Sequence, residues 1–292
     1  MAIGDGTRST NQARHDHAAA RRAVGFFTDP TLCIGCKACE VACKEWNGVP
    51  DDGFHFSANS YDNTCDLGAS TWRHVMFVEQ DARLGAQVAG PMGPRTAASD
   101  TEDPFRWVFL SDVCKHCEVA GCLEACPTGS IVRTETATVY VQDDVCNGCG
   151  YCVVGCPFGV IDRRPEPLPG AGGAFKCTFC YDRQLAGLVP ACAKSCPTES
   201  IQFGALDELR ERASRRRDEL RGRGLDDVRV YDAADTSVRG THAIFIVPGD
   251  PRAFALPARP EAPTIYLRGA WTSALLTAAA ALAAAFLAFA FA

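Results

Sequence analysis

Sixteen of the chain's seventeen cysteines fall into four quartets, and thiols at that density are either cross-links or metal ligands. The first quartet, Cys33, Cys36, Cys39 and Cys43, has the spacing C-x2-C-x2-C-x3-C. The second, Cys114, Cys117, Cys122 and Cys126, runs C-x2-C-x4-C-x3-C and is followed by Pro127. The third, Cys146, Cys149, Cys152 and Cys156, returns to the plain spacing and ends at Pro157, whereas the fourth, Cys177, Cys180, Cys192 and Cys196, has a long middle gap and ends at Pro197. Three thiolates on one tight loop can cap three iron corners of a [4Fe-4S] cubane, while the fourth, set after a short rise, points away and ligates another cubane. Sixteen thiolates are what four cubanes require. An odd cysteine count in a chain of this size fits a disulfide framework poorly, and zinc is the weaker metal reading for runs of this kind.

Exchange of the fourth cysteine pairs the runs. In a pseudo-twofold arrangement the second and third share two centres, Cys114, Cys117 and Cys122 with Cys156, and Cys146, Cys149 and Cys152 with Cys126. The outer runs then share the other two, Cys33, Cys36 and Cys39 with Cys196, and Cys177, Cys180 and Cys192 with Cys43. Nesting one pair around the other sets four redox centres in a row, which is a wire. A proline behind the last thiolate lacks an N–H and turns the chain away, holding that thiolate at a fixed angle. Residues 126–131 and 196–201 are almost the same hexapeptide, a mark of internal duplication. No catalytic constellation and no Gly-rich nucleotide fingerprint accompanies the cysteines, so no catalytic residue is assigned. Lys115 and His116 stand between two ligands, either tuning a centre through charge or a hydrogen bond to sulfur, or lying at the surface. Cys65 is left over and reads as an inert small residue.

The elements that must position these loops are short. Residues 24–28 are apolar and β-prone and lead through Asp29 and Pro30 into the first run. Residues 44–103 form an insert and loop. Its first part carries Trp46, Phe54, Phe56, Tyr61, Trp72 and Phe77, too aromatic for a linker, with a strand at 74–78; residues 82–103 read as an exposed loop. A strand resumes at 107–110, a hairpin joins 131–132 to 138–142, and a Pro- and Gly-rich bridge spans 165–173. From 204 the composition changes. Residues 205–221 place Leu206, Leu209, Ala213 and Leu220 near one helical face beside a solvated arginine-rich side. Strands at 228–231 and 243–247 pair beside the core, and a proline-rich extended connector follows. The expected fold class is α+β, duplicated 2x[4Fe-4S] modules with inserts. Its expected divisions are a polar tail over 1–24, a four-centre core over 25–203, a charged helix, short strands and connector over 204–263, and a membrane-anchor helix over 264–292.

Charge and hydropathy bound the partners. A formal charge of -6 argues against nucleic acid, which needs a basic face. The first 25 residues lack the apolar stretch of a cleavable signal. Residues 270–292 carry no charge and are long enough to cross a bilayer, with Tyr266 and Trp271 suited to the interface, although twelve alanines leave a helix packed on a partner subunit as the alternative. Iron-sulfur loading favours a reducing compartment, so assembly is expected in the cytoplasm.

The chain resembles the four-cluster ferredoxin-like iron-sulfur (beta) subunits of membrane-bound respiratory formate dehydrogenases, within the electron-transfer subunits of molybdopterin oxidoreductases. The resemblance rests on residues 33–46 (CIGCKACEVACKEW), 61–64 with 71–75, 122–127 (CLEACP), 146–162 (CNGCGYCVVGCPFGVID), 176–183 (KCTFCYDR), 190–196 and the single C-terminal hydrophobic helix. It implies a molybdenum or tungsten bis-pterin catalytic alpha subunit that oxidises formate, and a quinone-reducing cytochrome b gamma subunit in the membrane. This chain would pass electrons between them. Equivalent subunits of sulfoxide or polysulfide reductases share the cysteine runs and remain the alternative. Arg252, Arg259 and Arg268 before the final helix favour cytoplasmic clusters by the positive-inside tendency, whereas the resemblance implies that folded export with the catalytic subunit can override it. The chain is expected in the cell membrane as a single-pass protein, and its side stays open.

Overall fold

The computed structural model describes residues 22–51, 53, 62, 64, 66–81 and 105–290. The expectations for the tail before residue 22, for Phe54, Phe56, Tyr61 and Cys65, and for the loop 82–103 lie outside the described residues.

Strand β1 (Val24–Thr28) enters the first cysteine loop, and helix α1 (Ala38–Asn47) grows directly out of it. Gly48, at φ 57°, closes that helix with its N–H on the Glu45 carbonyl, the left-handed ending that glycine adopts without steric cost. Strands β2 (Arg73–Asp81) and β3 (Phe105–Val113) form an antiparallel ribbon from Arg73↔Val113 to Asp81↔Phe105. Both are longer than the 74–78 and 107–110 segments read from pattern, because each partner supplies the other's ladder. Next come α2 (Gly121–Glu124), the hairpin β4 (Ile131–Arg133) and β5 (Val139–Val141), and α3 (Tyr151–Val154). The short pair β6 (Asp162–Arg163) and β7 (Ala174–Phe175) brackets the Pro- and Gly-rich bridge, and α4 (Tyr181–Leu185) and α5 (Ala191–Lys194) carry the fourth run.

Behind the loops stands a sheet of β8 (Ile201–Ala205), β1, β10 (Ala243–Pro248) and β9 (Val228–Tyr231), in that order. β1 is antiparallel to β8 and parallel to β10. Adjacent residues on a strand face opposite sides, and Phe26 and Phe27 show why both are phenylalanine. Phe26 packs with the cysteines and Phe245, while Phe27 packs with Ile244, Ile246 and helix α6 (Leu206–Gly222). The buried face of α6 is Leu206, Leu209, Ala213 and Leu220, the four residues its periodicity selects. Its arginine side is not wholly free: Arg216 reaches Asp29 at 2.7 Å and Thr31 at 3.0 Å, tying the helix to the mouth of the first loop.

The proline-rich stretch after β10 is packed rather than merely extended. Residues Pro251–Phe254 and Pro263–Tyr266 form 3-10 turns, and Phe254, Leu256 and Ala262 are completely buried. Prolines end regular structure but leave apolar neighbours free to seek the core. Helix α7 (Leu267–Ala290) then leaves the body, long and apolar enough to cross a membrane and with none of it buried.

Candidate iron-sulfur centres

Each C-x-x-C loop turns through a left-handed residue just before its second cysteine: Gly35 (φ 67°), His116 (45°), Gly148 (70°) and Phe179 (60°). The turn folds the two thiols towards one side, and a short helix then raises the last two. Helices α2 and α3 touch backbone to backbone, since a Cβ on Gly121 would lie 2.3 Å from the Gly155 carbonyl oxygen. That approach brings the rising segment of the second run against that of the third.

The sixteen thiols of the four runs are free of disulfides. One cavity is lined by Cys33, Cys36, Cys39 and Cys196, and another by Cys114, Cys117, Cys122 and Cys156. In each, three thiols come from one run and one from a distant run. Cys43 has Cys177, Cys192 and Cys180 as neighbours, and Cys152 has Cys146, Cys149 and Cys126. Asn47 bridges the first of these sets, its amide 3.7 Å from Cys43 Sγ and 3.9 Å from Cys180 Sγ. Across sets, Cys39 neighbours Cys192, Cys177 neighbours Cys114, and Cys122 neighbours Cys152. The sets therefore follow one another end to end. Only Cys36 and Cys149, in the first and last sets, are exposed among the sixteen.

Burial pushes Cys39 and Cys122 up to about 12 and Cys152 up to about 11, and Cys43, Cys117 and Cys177 are likewise driven up, by burial first and neighbouring thiolates next. Thiols so held are poor nucleophiles alone and become ligands when a cationic metal core replaces their protons. Cys126 goes the other way, to about 7: burial opposes the fall, but the Ser130 and Thr128 hydroxyls and the backbone N–H groups of Ile131 and Thr128 outweigh it. Among the described residues no group of three or more His, Cys, Asp or Glu side chains is arranged to hold a single metal ion. Quartets drawn from two runs and spread around a cavity suit a multi-iron cubane, whose corners stand apart, better than one zinc ion.

Hydrogen bonds to sulfur come from Ala174 N–H to Cys146 (3.5 Å), Phe179 N–H to Cys177 (3.3 Å) and Arg73 Nη2 to Cys192 (3.3 Å). Lys115 and His116 are both buried, not at the surface. Lys115 pairs with Asp112. His116 lines the cavity of Cys114, Cys117, Cys122 and Cys156. Burial first, then the charge of Lys176, hold it well below the usual histidine range, so it is neutral at pH 7. Its Nδ1 accepts from the Val139 N–H at 3.0 Å, which leaves the ring proton on Nε2, and no protein acceptor meets that atom among the described residues. Beside the first run, His74 Nε2 lies 2.9 Å from Asp62 and Lys37 Nζ 3.4 Å from the same carboxylate, while Glu40 accepts the Val75 N–H. Asp62 and the His74–Val75 segment of the insert are thereby anchored to the first cysteine helix.

Sequence reading passed over Arg73, Lys176, Asn47 and Ser111. Arg73 alternates with Val75 on β2, and a charge in phase with a buried valine was the signal available.

These loops and quartets define a protein of the 4Fe-4S ferredoxin-like class: residues 32–130 match one 4Fe-4S dicluster domain family and residues 105–206 match another. Among curated proteins, the formate dehydrogenase-O iron-sulfur subunit of Escherichia coli (strain K12) is 36% identical over 254 residues, 85% of this chain and 76% of that one. The nitrate-inducible formate dehydrogenase iron-sulfur subunit of the same organism is 37% identical over 225 residues, 77% of this chain and 68% of its own. A thiosulfate reductase electron transfer subunit of Salmonella typhi is 39% identical over 181 residues, 62% of this chain and 74% of that protein. The chain belongs to the family of formate dehydrogenase iron-sulfur subunits.

Proposed function

We propose that this chain carries electrons, one at a time, through four [4Fe-4S] centres from a molybdenum or tungsten pterin catalytic subunit that oxidises formate to a quinone-reducing cytochrome b subunit in the membrane. The ligands are Cys33, Cys36, Cys39 and Cys196 for the first centre, and Cys43, Cys177, Cys180 and Cys192 for the second. Cys114, Cys117, Cys122 and Cys156 hold the third, and Cys126, Cys146, Cys149 and Cys152 the fourth. When bound, each cubane supplies a one-electron site. The divisions that go with this function are a core over 25–203, a flanking unit over 204–263 and an anchor over 264–292.

The observation that carries the proposal is the unbroken succession of thiol neighbours from the exposed Cys36 to the exposed Cys149. In the two inner sets seven cysteines are buried and Cys156 is half-buried, and each end opens among apolar side chains, Ile34 and Val41 at the first and Tyr151 and Val154 at the last. Such patches suit partner subunits. The root of α7 supports a direction for the ends: Pro263 lies against Gly121, and the Thr264 hydroxyl meets Glu124, both on the α2 side where Cys122 neighbours Cys152. The Cys149 end therefore faces the membrane partner, and the Cys36 end the catalytic subunit. Exposed Tyr266 and Trp271 at the start of α7 fit a bilayer interface, supporting its role as the anchor.

The test is the purified complex. About sixteen irons and sixteen sulfides per chain are expected, with visible bleaching on adding formate. Bleaching by a quinol and reoxidation by thiosulfate or a sulfoxide, with no response to formate, would support instead a reductase subunit, the second reading that the thiosulfate reductase relative favours. Removal of residues 264–292 should release the chain expressed alone into the soluble fraction; retention in the membrane would remove α7 as the anchor.

A further inference from the structure

Two cations are buried in the interior with no carboxylate among the described residues to answer them. Arg73, 2% exposed, donates through Nη2 to Cys192 Sγ at 3.3 Å and through Nη1 to the Ser111 carbonyl at 3.1 Å, and it lies over the Phe26 ring at 4.8 Å. Its Nε has no acceptor among the described residues. The Ser111 hydroxyl in turn stands 3.2 Å from Cys39 Sγ, so the guanidinium is wedged between thiols of two different quartets. Lys176, also 2% exposed, donates to the carbonyls of Val139 (2.6 Å) and Cys177 (3.1 Å), and it lines the cavity of Cys114, Cys117, Cys122 and Cys156. It too spans two quartets. Lys115 shows the ordinary solution nearby, a buried ammonium paired with Asp112.

A buried charge without a counter-charge is strongly unfavourable, and apolar side chains of similar volume would fill either site without that penalty. The missing partner must be negative and must adjoin the thiols. A cubane held by four thiolates is anionic, and more so by one unit when reduced. We propose that Arg73 and Lys176 are built-in counter-charges of the electron path that raise the reduction potentials of the centres beside them. Arg73 acts chiefly on the centre of Cys43, Cys177, Cys180 and Cys192, and Lys176 on that of Cys114, Cys117, Cys122 and Cys156. The inference rests on the ligand assignment given above. Reduction brings one electron to a centre and moves no proton here, because the guanidinium keeps all its hydrogens. Charge and hydrogen bonds to sulfur are the protein's main levers on such potentials. Arg73 applies both at once.

The experiment is a redox titration of the intact complex, followed by electron paramagnetic resonance, with Arg73→Gln, Arg73→Lys and Lys176→Met. Arg73→Gln should lower the midpoint of the Cys192 centre most and that of the Cys39 centre less, leaving the Cys149 centre unmoved; Arg73→Lys should recover most of the shift. Lys176→Met should lower the Cys114 centre most. Unchanged midpoints with full iron content, or one equal shift of all four, would overturn the proposal. A second measurement needs no variant. In wild-type complex labelled with 15N-arginine, the reduced Cys192 centre should show hyperfine coupling to the guanidinium nitrogen, and absence of that coupling would also overturn it. Failure of the ligand assignment is distinguishable: wild-type iron would fall short of four cubanes, or Cys43→Ser would abolish the Cys33 centre in place of the Cys192 centre.

Discussion

The residue before the second cysteine, glycine in the first and third runs and a ring residue in the second and fourth, separates the outside of the electron path from its inside. All four turn through a left-handed residue before the second cysteine. Gly35 and Gly148 adopt that geometry without steric cost, whereas His116 and Phe179 carry a penalty of about 1–2 kcal/mol each. The glycine loops hold the exposed Cys36 and Cys149. The strained loops face inward, where the His116 and Phe179 rings meet edge to face at 4.5 Å and Phe179 meets Phe26 at 4.3 Å. An outer loop needs only the turn. An inner loop needs the turn and a ring to fill the space between neighbouring quartets, and close packing there outweighs the backbone strain.

The largest test of that contrast is Cys43→Ser. It should remove the centre of Cys177, Cys180 and Cys192 and lower iron content by about a quarter, while the Cys33 centre persists in the resonance spectrum. Loss of the Cys33 centre alone would make the first run self-contained and break the pairing of outer with inner loops. Next in size, Phe179→Gly relieves the left-handed strain but empties a buried ring site, for a net loss of about 2–4 kcal/mol, read as a lower urea midpoint for cluster bleaching. If the variant were instead more stable, the ring would have no packing role. Gly148→Ala should cost about 1–3 kcal/mol, because its Cβ would stand 2.4 Å from the Gly172 carbonyl oxygen as well as at positive φ. Gly35→Ala should cost least, about 1 kcal/mol, since the nearest atoms to its Cβ belong to the Phe109 ring, at 3.2 Å, rather than to backbone. Equal midpoints for these last two variants would mean that dihedral strain alone governs the outer loops.

Much of the architecture was legible because ligand chemistry and element periodicity are both local. The cysteine spacing, the turns after Cys126, Cys156 and Cys196, and the apolar stripe of α6 each follow from residues within one or two turns of chain. What escaped is tertiary. The partner of β2 is β3, more than twenty residues further along the chain, and no local pattern sets that register. The proline-rich stretch looked extended because proline speaks only for the backbone, while Phe254 and Leu256 were free to bury. His116 was ambiguous between tuning and surface because its burial depends on Phe179, in another run. Arg73 was hidden for the same reason: its counterparts, Cys192 and Ser111, lie far along the chain.

The parallel pairing of β1 with β10 also sets a timetable. Val24 and His242, whose carbonyl and ring meet at 2.7 Å, are 218 residues apart in the chain. At ribosomal rates of ~5–20 residues per second, the first strand waits about 10–40 s for that neighbour. The thiols from Cys114 to Cys156 have emerged together well before then, whereas Cys33 lacks Cys196 until late. On the proposed ligand sets, the thiols of the Cys114 and Cys146 centres are therefore all present before those of the Cys33 centre.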